Sequence, residues 1–192
     1  AFSEPVIGAA DQRNYALLGN GLGTLSLRKV QQLNERRYEL QFTGTPANGS
    51  ISLRLKNVFD PAGNPLQNDA IEYTADTTPP VFTSLPAPGT VLNAVGEIEL
   101  AFSEAVNGAN TPGNYSLTGE GAQLLRLATV TQLADNKYRL AFSGETRNGR
   151  IVLRTQNITD AAGNAVSTGA VDFSADIDPP FVKSMSPAPG TY

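Results

Sequence analysis

An all-β fold of tandem β-sandwiches is predicted for this chain by three observations. The sequence repeats itself with a period of about 100 residues. Within each repeat, apolar residues alternate over short runs bounded by Gly, Pro and Asn-Gly punctuation. No stretch carries the long 3.6-residue apolar period of a capped amphipathic helix, so very little helix is expected.

The repeat is read by aligning each residue with the one 100 positions later. Ala1-Phe2-Ser3-Glu4 returns as Ala101-Phe102-Ser103-Glu104, and Asn14-Tyr15 as Asn114-Tyr115. Tyr38, Leu40, Phe42 and Gly44 return as Tyr138, Leu140, Phe142 and Gly144. Asn48-Gly49 returns as Asn148-Gly149, and Asp60…Gly63-Asn64 as Asp160…Gly163-Asn164. Asp76-Thr77-Thr78-Pro79-Pro80 answers to Asp176-Ile177-Asp178-Pro179-Pro180. The phase then slips by one residue, so that Pro86 to Thr90 matches Pro187 to Thr191.

The strands follow in order. Residues 97–103 alternate with Ile98, Leu100 and Phe102 on one face, and Tyr138, Leu140 and Phe142 repeat the pattern. Asn148-Gly149 is a turn dipeptide. Ile151 and Leu153 form the inward face of the next strand, and Val171, Phe173 and Ala175 that of the last. Pro79-Pro80 is stiff, extended and short of two backbone donors, which suits a linker. Domain boundaries are therefore expected at 1–78, 79–178 and 179–192, the last being the opening strand of a following or neighbouring domain.

Composition narrows the function classes. The chain has 192 residues with no Cys, His or Trp. Zinc, haem and iron–sulfur sites lose their usual ligands, and the common catalytic triads lose their base. A net charge of −4, without a Lys/Arg cluster, argues against nucleic acid. No apolar run approaches the ~20 residues of a membrane span. The repeated tyrosines are expected in the core or sheets, and Arg54 and Arg154 on outward faces. Paired strand carboxylates such as Glu97 and Glu99 carry no pocket signature of glycosidase chemistry.

Roughly seven strands per 100 residues points to an immunoglobulin-like sandwich. Pro79-Pro80, the turn from Leu85 to Thr90, the strand end from Phe102 to Val106 and the loop from Asp160 to Asn164 together resemble bacterial Ig-like domains. That resemblance covers essentially the whole chain. It implies an extracellular or cell-surface setting, in adhesins, surface filaments or spacers of secreted enzymes.

The frame of the repeat adds an expectation. Ala1 to Glu4 correspond to the second half of strand B, so the first sandwich is expected to lack strand A and half of strand B. Pro179, Pro180, Phe181, Val182 and Met185 belong to a surplus strand A. Two readings stand: a window on a longer tandem array, the chain being processed or an excerpt, or donor-strand exchange between copies. Both give head-to-tail assembly.

A candidate calcium site follows from strand directions. Strands B and F return to the pole where the linker enters, which would gather Asp76, Glu104 and Asp160 from distant stretches, with Asn164 and Thr78 as neutral oxygens. Glu4 and Asp60 would form a half-site in the first domain, and Asp176 with Asp178 the linker half at the other end. Related Ig-like arrays are similar in binding calcium at such junctions. A plain turn role for the Asp-x-x-Gly-Asn loop is equally open.

The expected function is a non-enzymatic structural repeat of an extracellular bacterial rod, filament or adhesin stalk. The alternative is a spacer or binding module of a secreted polysaccharide-acting enzyme. The expected partners are copies of the chain or adjacent Ig-like repeats, with a cell-surface or polysaccharide ligand left open.

Overall fold

The computed structural model describes residues 1–167 and 169–186, and it is an all-β protein. Two compact units meet at the Thr78–Pro79 boundary. Thirteen strands run in chain order. In the first unit these are β1 (Tyr15–Leu18), β2 (Ser26–Gln32), β3 (Tyr38–Thr43), β4 (Gly49–Leu55) and β5 (Ala70–Ala75). In the second they are β6 (Phe82–Leu85), β7 (Val91–Leu92), β8 (Glu97–Phe102), β9 (Tyr115–Thr118), β10 (Arg126–Ala134), β11 (Lys137–Ser143), β12 (Gly149–Thr155) and β13 (Ala170–Ala175). The only helical pieces among the described residues are three-residue 3-10 turns such as Gln12–Asn14 and its counterpart Pro112–Asn114.

The second unit is a sandwich of two four-stranded sheets, ordered β10-β11-β8-β6 and β7-β13-β12-β9. Alternation in the sequence sets which side chains enter the core. Ile98, Leu100, Tyr138 and Leu140 come from one sheet, and Ile151, Leu153, Val171 and Phe173 from the other. Each fully buried side chain of this size contributes roughly 1.5–3 kcal/mol. Tyr115 and Tyr138 are buried, each with its hydroxyl directed to a backbone carbonyl, Ala109 at 2.7 Å and Val106 at 3.5 Å. On the outward face Glu99 joins Arg139 at 2.8 Å and Lys137 at 2.9 Å.

The first unit repeats half of this plan, with sheets β1-β4-β5 and β2-β3. Phe2 stands where Phe102 stands: its amide donates to the Arg36 carbonyl at 2.8 Å, as that of Phe102 does to Asn136. Its ring meets Tyr38 edge-on at 5.7 Å, matching Phe102 against Tyr138 at 5.8 Å. Strand β3 pairs with β2 alone, whereas β11 is flanked by both β10 and β8. The apolar face of the first unit is correspondingly open.

One expectation changes. Asn148-Gly149 is no hairpin turn, because β11 and β12 lie in different sheets and the segment between them crosses from one to the other. Gly144 starts that crossing at φ +104°, and a side chain there would put Cβ 2.0 Å from the Leu124 carbonyl oxygen. Gly44 repeats the constraint at φ +90°, 2.1 Å from the Thr24 carbonyl oxygen. Only glycine fits either place.

Candidate functional site

One pole of the second unit collects the conserved-looking loops of the repeat. The diproline enters there: the Pro80 carbonyl accepts from the Ser167 amide at 3.0 Å, and Pro80 is buried. Next to it Val81 and Ser103 clasp each other, Ser103 N–H donating to the Val81 carbonyl at 2.8 Å and Val81 N–H to Ser103 Oγ at 3.1 Å. Glu104, one residue on, is half-buried.

Asp160 lies at this same pole, 1% exposed, on the loop after β12. Its Oδ1 accepts from the Asn164 amide and its Oδ2 from Asn164 Nδ2, both at 2.8 Å. Burial pushes this carboxyl up, but the Asn164 side chain and the Asn164, Gly163 and Ala162 amides outweigh it and hold it below the usual carboxylate range. A carboxylate oxygen of Glu104 lies within 4.8 Å of one of Asp160. The result is a pair of carboxyl groups with one member buried.

The first unit builds the same loop in a more open setting. Asp60 Oδ1 accepts from the Asn64 amide at 2.8 Å and Oδ2 from Asn64 Nδ2 at 2.7 Å, which lower its pKa. Glu4 and Asp60 line one cleft of about 380 Å³ together with Asn64 and Leu66. Asp60 is only half-buried, whereas Asp160 is buried.

Linker residues are held by a device the sequence reading missed. Asn48 Oδ1 accepts from Thr77 N–H and, at 2.8 Å, from Thr77 Oγ1, while its Nδ2 donates to Thr78 Oγ1. Asn148 repeats this: its Oδ1 accepts from Ile177 N–H at 2.7 Å and its Nδ2 donates to Asp178 Oδ2 at 2.7 Å. Asp76 and Asp176 each cap the next turn of chain, accepting from the amides of Thr78 at 2.9 Å and Asp178 at 3.1 Å. The recurrence of Asn48 at Asn148 was the available signal. It was absorbed by the commoner role of Asn-Gly in turns.

In the surplus segment Pro179, Pro180, Phe181, Val182 and Met185 belong to no strand, and Phe181 is 85% exposed. Its continuation, Pro187 to Thr191, lies outside the described residues. Among the described residues no helix is long and apolar enough to cross a membrane.

Comparison with known proteins gives these features a setting. No family model matches the chain. It is 36% identical over 140 residues, 70% of its length, to the outer cell wall protein of Brevibacillus brevis strain 47. The chain spans 13% of that protein's length. Two solved structures align with parts of it. The N-terminal part of the bacterial S-layer protein SbsC matches 52% of this chain and 24% of its own, with a TM-score of 0.40 at 15% identity. The Escherichia coli adhesin FdeC matches 90% and 54%, with a TM-score of 0.42 at 10% identity. The sequence relationship gives the chain an extracellular or cell-surface location.

Proposed function

We propose that this chain is a non-enzymatic structural repeat of a bacterial surface layer, filament or adhesin stalk, built from Ig-like sandwiches joined head to tail. The observation that carries this reading is the 36% identity to an outer cell wall protein. The internal repeat and the linker clamps at Asn48 and Asn148 support it. Each clamp ties the exit segment to its own sandwich. The join between copies is made by chain continuity or by strand donation. Electron microscopy of native cell-surface material, with antibody against this chain, tests the reading. Layers or filaments decorated at a regular axial spacing are expected; label confined to isolated soluble particles would sink it.

Calcium at the repeat junction belongs to the same proposal. Asp160 and Glu104 supply carboxylates at the linker pole, and Asp76, three residues before the diproline, is the linker ligand. Their support is chemical: a buried carboxylate held anionic beside a second one favours a divalent counter-charge. Millimolar calcium is expected to raise the melting temperature of the chain by several degrees, and Glu104→Gln to remove most of that gain. Identical melting curves in calcium and in EGTA would exclude the ion.

A further inference from the structure

A strand at the rim of a sheet leaves one row of main-chain N–H and C=O groups without a ladder partner, and folds blunt such rims by shortness, charge or a covering group. In the second unit three of the four rim strands are short: β6 and β9 have four residues each and β7 two. The fourth, β10, has nine and is the longest strand among the described residues. It pairs with β11 on one side alone. Leu127 and Val130 pack inward against the core, while Thr129 and Thr131, paired with Ala141 and Arg139, share the outward face of the sheet. Among the described residues no main-chain group of β10 has a hydrogen-bond partner outside β11.

The first unit shows how the same rim is guarded. Its equivalent strand β2 carries exposed Arg28 and Lys29 where β10 has Ala128 and Thr129. Gln12 covers β2 as well, its Nε2 donating to the Leu27 carbonyl at 2.8 Å. Pro112 stands in place of Gln12 in the second unit, and its side chain has no donor to repeat that bond. Strand β10 therefore lacks all three guards, and from Leu127 to Ala134 it holds no charged residue.

The charges that remain sit at its ends. Arg126 opens the strand and Asp135 follows it, both exposed and neither in a salt bridge among the described residues. Antiparallel pairing with β10 of a second copy sets each Arg126 near Asp135 of the other copy, at both ends of the ladder. Parallel pairing would set Arg126 against Arg126 and Asp135 against Asp135, and like charges across a strand pair repel. Between the ends, threonine, valine and glutamine meet without charge conflict. The two-fold pair is closed and leaves no further β10 edge to propagate.

We infer that β10 is a lateral docking edge whose occupant is β10 of a second copy of this chain, running antiparallel and joining two four-stranded sheets into one continuous sheet. The inference rests on the second unit alone. To the surface-repeat reading it adds a sideways bond, where chain continuity or strand donation gives only a lengthwise one.

Sedimentation velocity of the full 192-residue chain over a concentration series tests it, and reversible dimers are expected. Thr129→Lys, which copies the residue β2 already carries at that place, is expected to weaken the dimer about tenfold without lowering the melting temperature. Arg126→Glu and Asp135→Lys are each expected to weaken it about three- to tenfold. An equimolar mixture of those two chains is expected to recover the dimer, because the mixed pair has opposite charges at both ends. A chain that stays monomeric, dimers indifferent to residues 126, 129 and 135, or a mixture that associates no better than its components would each overturn the inference. None of these outcomes bears on surface location, which the microscopy decides separately.

Discussion

Asp160 keeps its charge inside the fold because four groups of its own loop, the Asn164 side chain and three successive backbone amides, point their hydrogens at it. The same loop holds Asp60, and Glu99 is lowered by hydrogen bonds from Arg139 and Lys137. In each case the folded pKa lies below the unfolded one. The stability these groups contribute is therefore present above the ordinary carboxylate range and is lost as pH falls through it. Thermal melts between pH 7 and pH 2 should show the midpoint steady to about pH 5 and then falling. Asp160→Asn, which keeps the shape but removes the charge, should flatten part of that fall, and a curve identical to wild type would contradict the assignment. The loop itself was legible from its repetition. Its burial was not, because that depends on residues such as Glu104 that come to it from another stretch of sequence.

Strand positions were read correctly from alternation alone, since period-2 burial leaves a direct trace in Ile98, Leu100 and Phe102 or in Val171 and Phe173. Sheet membership left no such trace. Consecutive strands β11 and β12 look like a hairpin in sequence, and only packing decides that they part company. Equivalent strands in the two units also differ in what they bury, although their residues correspond one to one. Phe173→Ala should cost about 3–5 kcal/mol, as expected for an enclosed aromatic. Tyr73→Ala at the matching position of β5, with its ring open to solvent, should cost under about 1 kcal/mol. Denaturant titrations of the two variants measure this contrast, and equal losses would contradict it.

The two units are unequal as folding bodies. The second encloses seventeen buried apolar residues in one cluster, while that of the first holds Ala9, Leu53, Leu55 and Val58. Calorimetry should accordingly resolve two transitions, the first unit melting at the lower temperature; a single sharp transition would show that they fold as one. The phase of the repeat already carries this inequality, since Ala1 and Phe2 match Ala101 and Phe102, the last two residues of β8. A mechanical consequence follows from strand β7, which pairs parallel to β13, with Val91 beside Ser174 and Leu92 beside Ala175. Gly89 N–H donates to the Asp172 carbonyl, Ser174 N–H to that of Thr90 and Asp176 N–H to that of Leu92. Once β6 has parted from β8, tension applied through the two ends of this unit draws β7 and β13 in opposite directions along their common axis. These three hydrogen bonds are then sheared together and do not unzip one after another, so the shortest strand among the described residues works as a force latch.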